Sequence, residues 1–231
     1  MPQLYLDITA LPALAAVSGM SLHDAQRLAL VALEHARLHV DGFCLAWSGP
    51  SAVMGDEKAW TSLCRLAGAP LALALEPRGD TRSTLFSFEP KVVLWNGGGR
   101  AAGSQGFMPL AVESDGDTLK THILGLGGSV YQHFAVVKAL PAQIKTVHRL
   151  GLQGVLFPWP RPGEDIAIED LHDAIAFAGR MKLKSGVVMS LRDLPLLEDM
   201  PIEPNLVVLG PDVWFELLIS AAPSLPGLLS R

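Results

Sequence analysis

The chain has 231 residues, of which 49% are hydrophobic and 18% charged. Its mean hydropathy is +0.32, a balance that excludes a disordered polymer. A net charge of −5 without any basic stripe argues against nucleic acid as the main partner.

Strand-like and helix-like segments alternate along the chain. Residues 3–8 (QLYLDI) read as a first strand. The apolar N-terminus lacks a basic leader and carries Asp7, which separates it from a signal peptide. Residues 21–39 read as a helix that begins at an N-cap, Ser21, with Asp24 three residues on. A strand over 42–47, a helix over 55–67 and a buried strand over 70–76 follow, and 91–95 is the next strand.

The pattern loosens over 96–129, which holds nine of the 22 glycines. Asp115-Gly116 sits there between alternating residues, which predicts a β-hairpin inserted after strand four. Alternation then resumes: strands over 134–138, 153–157, 184–189 and 205–209, with helices over 141–150, 167–180, 193–199 and 211–221.

Eight βα units imply a parallel sheet covered on both faces. The fold class is α/β, a closed (β/α)8 TIM barrel in one domain over residues 1–231, with a doubly wound open sheet as the alternative. No apolar run reaches ~18 residues free of charges or breakers, so no membrane partner is expected. The two cysteines, Cys44 and Cys64, form no disulfide framework and no zinc pattern. A reducing cytoplasm is the expected location, and no metal or cofactor is expected.

Several motifs resemble those of the pyridoxine 5′-phosphate synthases. LYLDITAL is similar to the family's first strand and keeps Asp7, with Ile8 where the family has His. Val40-Asp41-Gly42-Phe43 is similar to its approach to strand two. FAVVKALPAQIKTVHRLGLQGVLF resembles strands five and six, and KLKSGVVMSLRDLPLLEDMPIEPNLVVLG the last two. The resemblance implies an oligomeric barrel of vitamin B6 biosynthesis that joins an aminoacetone phosphate to a deoxyxylulose phosphate.

The family's catalytic residues are replaced. Ala46-Trp47-Ser48 stands for His-x-Arg, Leu156 for a Glu, Pro158 for a His, Val188-Met189-Ser190 for Gly-His-Gly, and Gly210-Pro211 for Gly-His. Gly103-Ser104-Gln105-Gly106 at most echoes the family's loop after strand four. Repeated proton transfer needs groups that titrate near neutrality, and these replacements carry none. The expected function is therefore a barrel without that activity: a scaffold, an oligomer subunit, or a binder of a small anionic metabolite.

Active sites of barrels lie at strand C-termini. The polar residues there are Asp7, Ser48, Glu76, Arg78, Asn96, Arg100, Lys138, Arg161 and Ser190. Asp7 and Glu76 form a candidate acid–base pair, beside the plainer reading that each solvates a strand end. Lys138, between Val137 and Ala139, is a candidate Schiff-base lysine, or else a surface charge. Asn96-Gly97-Gly98-Gly99-Arg100 offers backbone N–H groups and a guanidinium to a phosphate, without any nucleotide fingerprint. Gly210 joins these as a ligand-binding candidate. Trp47, Trp95 and Trp159 end strands, where they would line or plug a pocket. His35 and His39 have zinc spacing but read as a solvated helix face. The alternative to the scaffold is an enzyme on small phosphorylated or carbonyl substrates, using Lys138 or Asp7 and Glu76.

Overall fold

Short runs of Leu, Val and Ala at regular intervals, such as LALAL over Leu71–Leu75, fit strands buried on both faces. In the computed structural model there are eight of them: β1 (Gln3–Asp7), β2 (Gly42–Ala46), β3 (Leu71–Leu75), β4 (Val92–Trp95), β5 (Gln132–Val136), β6 (Gly154–Pro158), β7 (Lys184–Met189) and β8 (Leu206–Leu209). They close in chain order into one parallel ring, with β1 hydrogen-bonded to both β2 and β8. The ring excludes the open-sheet alternative. The structure describes residues 2–47, 54–77, 81–97, 107–125, 131–161 and 166–221.

The helices are α1 (Leu11–Ser18), α2 (Leu22–Ala36), α3 (Glu57–Ala67), α4 (Thr81–Phe88), α5 (Val112–Gly125), α6 (Pro141–Arg149), α7 (Ile168–Arg180) and α8 (Val213–Ala221). A 3-10 segment, Leu191–Asp199, stands in the place of a helix after β7. Ser21 caps α2 as expected, its hydroxyl accepting the Asp24 N–H at 3.1 Å. Asp56 does the same for α3 through Ala59 N–H at 3.0 Å. Each such cap satisfies one orphan donor of a helix start.

Two apolar layers alternate along every strand. One holds the outward side chains and the helix faces, among them Leu6, Leu45, Leu73, Val93, Phe157 and Leu209. The other fills the ring itself: Tyr5, Cys44, Ala72, Val92, Phe134, Leu156, Val188 and Val208. Glycines face the large rings inside it. A Cβ on Gly42 would lie 2.3 Å from Tyr5, and one on Gly154 would lie 2.4 Å from Phe134. These two pairs set large against small across neighbouring strands, as a filled barrel requires.

Three expectations are corrected. Residues around Asp115-Gly116 form α5, not a hairpin. Val112 and Leu119 are buried on that helix and Ile123 is half-buried, so its apolar stripe recurs at helical spacing, and Gly116 fills the gap in the stripe beside Leu150. Strand β5 covers Gln132–Val136 rather than 134–138, which leaves Lys138 two residues past its end. Helix α2 stops at Ala36, so His35 and His39 do not share a helix face. In addition, α1 and α4 form where the sequence pattern gave no helix.

Candidate functional site

Strand pairing carries the inward register toward the C-terminal mouth of the ring. Two residues beyond the last inward apolar side chain of successive strands stand Asp7, Ala46, Glu76, Asn96, Lys138, Pro158, Ser190 and Gly210.

Asp7 is fully buried. Its Oδ1 accepts the Thr9 N–H at 2.8 Å, and its carbonyl accepts the indole N–H of buried Trp214 at 2.7 Å. Thr9 Oγ1 accepts the Ala46 N–H at 2.9 Å, which ties the ends of β1 and β2 together. The Cys44 thiol faces this carboxyl across the β1–β2 pair. Burial, and then the Asp7 charge, push its pKa well above the ordinary value, so it stays a neutral thiol. Glu76 and Lys138, by contrast, are exposed. The Lys138 backbone N–H donates to Gln143 Oε1 at 2.9 Å. Exposed to water, Lys138 lacks the desolvation a Schiff-base lysine uses.

Residues 107–110 cross the end of β4 at the mouth. Asn96 Oδ1 accepts the Met108 N–H at 2.6 Å, and Gly97 N–H donates to the Met108 carbonyl at 2.7 Å. Leu110 N–H then reaches the Val136 carbonyl at 2.8 Å, at the end of β5. A Cβ on Gly97 would stand 2.5 Å from the Pro109 carbonyl oxygen, so only glycine admits this crossing. The crossing delivers Phe107, 4% exposed, into the cluster that fills the ring. Asn96 and Gly97 thus spend the groups proposed for an anion on their own chain. Gly98 and Arg100 lie outside the described residues, as do Ser48, Arg78 and residues 103–106.

The three strand-end tryptophans are corrected together. Trp47, Trp95 and Trp159 share the register of Leu45, Val93 and Phe157 and pack in the outer layer, neither lining nor plugging the mouth. Trp47 meets Phe88 of α4 edge-on at 4.9 Å. Trp95 donates its indole N–H to His133 Nδ1 at 3.2 Å and stacks on that ring at 6.0 Å. His133 is 3% exposed, and burial holds its pKa below the ordinary value.

Gly210 is buried, with its N–H given to the Met189 carbonyl at 2.9 Å. The segments after β7 and β8 hold a polar group of which the sequence pattern points only to Ser190 and Arg161. Ser190 Oγ donates to Asp193 Oδ2 at 2.8 Å, and Arg192 pairs with Glu216. Asp212 Oδ1 is buried with no hydrogen bond among the described residues. Its pKa is raised by burial first and then by Glu216 and Asp193, against the lowering effect of Arg161. Spacing gives no warning of this cluster, because its members come from the 3-10 segment after β7, the turn into α8 and α8 itself, and the residues after β6. Among the described residues no group of three or more His, Cys, Asp or Glu side chains is placed to hold a metal. Nor is any helix among them long and apolar enough to cross a membrane.

A closed parallel ring with helices outside it defines the class, a (β/α)8 barrel. Solved structures agree. The chain is similar to an aldolase/citrate lyase family protein from Burkholderia cenocepacia, with TM-score 0.57, 11% identity, and 98% and 94% of the two chains covered. It is similar to phosphoribosyl anthranilate isomerase from Thermus thermophilus, with TM-score 0.55, 11% identity, and 96% and 99% covered. It is also similar to thiamine phosphate pyrophosphorylase from Pyrococcus furiosus, with TM-score 0.55, 10% identity, and 91% and 89% covered. Those neighbours are enzymes of different reactions, and at such identity the likeness establishes the fold alone. No family model matches the chain, and no curated protein matches it.

Proposed function

We propose that this chain is a non-catalytic barrel, a divergent relative of the pyridoxine 5′-phosphate synthases, that serves as a scaffold or oligomer subunit. The observation that carries the reading is Phe107, seated in the apolar interior just where a barrel enzyme opens to substrate. The replaced catalytic positions support it. Ala46, Leu156, Pro158, Met189 and Pro211, which stand where that family has His or Glu, have no side chain that moves a proton near neutrality. The loops after β7 and β8, a common phosphate seat in barrels, here bring Asp193, Asp212 and Glu216 together. Carboxylates repel a phosphate, which weighs against an anion seat at this end of the ring.

The direct test is incubation with aminoacetone phosphate and deoxyxylulose phosphate, followed by mass spectrometry. The expected result is unchanged substrates. Formation of pyridoxine 5′-phosphate overturns the reading.

One observation favours a second reading, an enzyme of lyase or synthase type. Asp7 is a fully buried carboxyl at the end of β1, where barrels keep catalytic groups. Turnover of any small phosphorylated carbonyl compound that disappears in Asp7→Asn would establish it.

A further inference from the structure

Helix α2 packs against α1 and α8 and leaves a cleft on its other flank, toward α3. The upper part of the cleft, about 270 Å³, runs between the N-terminal half of α2 and the length of α3 from Asp56 to Leu66. A lower part of about 480 Å³ continues past their C-terminal ends to the loop before β2. Leu30 lines both parts. Leu66, in the last turn of α3, lines the upper part beside the junction and is 70% exposed. Apolar surface in a charged frame marks an association site.

The frame has a polarity. The upper end carries Arg27 and Lys58 against Asp56. The lower end carries Glu34 and Asp41 against Arg37. One end is therefore net basic and the other net acidic. A two-fold axis perpendicular to the cleft, through its middle, lays the basic end of one copy on the acidic end of the other. Leu66 then lies near the axis, facing its own counterpart. Such self-complementarity is what an isologous contact demands.

We propose that the α2–α3 cleft is the homodimer interface of this protein, with a second copy of the chain as its occupant. The inference rests on the scaffold reading and deepens it. Its test leaves the barrel mouth untouched, so the two fail separately.

The test is sedimentation velocity of the full chain over a concentration series, for the wild type and three variants. The wild type is expected to be a dimer. Leu66→Glu is expected to weaken dimerisation at least tenfold, and Leu124→Glu, an equally exposed leucine on α5, to leave it unchanged. Arg27→Glu is expected to weaken it as well. Adding Glu34→Arg to Arg27→Glu restores opposite charges across the two-fold axis and is expected to recover the dimer. Circular dichroism confirms that each variant is folded. A wild type that stays monomeric overturns the proposal. So does a dimer indifferent to Leu66→Glu, or one broken by Leu124→Glu, since either places the contact elsewhere. Failure of the charge swap to rescue overturns the two-fold pairing that carries the argument.

Discussion

Asn96 holds Met108 by a single bond of 2.6 Å from the Met108 N–H to the Asn96 side-chain oxygen, and Gly97 closes the same clasp on the Met108 carbonyl at 2.7 Å. Together they fix the crossing that seats Phe107 in the ring. Deleting a buried phenylalanine side chain costs about 3–5 kcal/mol, and stranding a buried N–H about 1–3 kcal/mol. Phe107→Ala is therefore expected to lower stability by about 3 kcal/mol and Asn96→Ala by about 1–2 kcal/mol in urea titrations. The double variant is expected to fall short of the sum, because both act on one crossing. Equal and small losses for both would place Phe107 outside the packed interior.

The sequence made this crossing hard to see. The strands are apolar on both faces, so their composition does not tell which register faces inward. Trp47, Trp95 and Trp159 end their strands in the outward register, while the closing aromatic comes from a loop. The eight strands themselves were legible, since each is a short Leu/Val/Ala run between turn residues. Helix α5 was not, because Asp115-Gly116 is a local hairpin signal that burial of Val112 and Leu119 on one helical stripe overrides. Of the site residues, Asp7 ends β1 and Asn96 directly follows β4, the positions their strand patterns implied. The sequence pattern put Lys138 on a strand that ends two residues earlier.

Acid sensitivity is expected from His133. Its Nδ1 accepts the Trp95 N–H, so the native ring is neutral, and burial lowers its pKa. Unfolded, it takes a proton at its ordinary value near 6.5. The unfolded chain thus binds more protons as pH falls below about 6.5, and stability drops until the folded pKa is passed. Urea midpoints between pH 8 and pH 5 are expected to fall for the wild type and to fall less for His133→Gln. Parallel pH profiles for the two proteins would contradict this.

Asp212 works in the opposite direction. Burial and the charges of Glu216 and Asp193 raise its folded pKa, so its carboxylate burdens the native state at neutral pH. Asp212→Asn is expected to raise the melting temperature at pH 7. The gain is expected to shrink as pH falls through the raised pKa, where the native carboxyl takes its proton. A lower melting temperature at pH 7 would mean that the charge is used.

Tyr5 stands inside the ring with its hydroxyl buried and unpaired among the described residues. Burial, followed by Asp41 and Cys44, pushes its pKa up to about 12. An unsatisfied buried hydroxyl costs about 1–3 kcal/mol. Tyr5→Phe keeps the ring against Gly42 and removes the hydroxyl, so a gain of about 1 kcal/mol in unfolding free energy is expected. A loss of that size would reveal a partner for the hydroxyl.

The most direct test of a closed, non-catalytic mouth is the melting temperature of the wild type against a panel of phosphorylated metabolites and pyridoxine 5′-phosphate. Ligand at 100 times its dissociation constant stabilises a folded protein by ~2.7 kcal/mol, which is several degrees. With Phe107 seated in the interior, no member of the panel is expected to shift the transition. A saturable rise with any one of them, abolished in Asp7→Asn, would show an open pocket at the mouth and contradict the account.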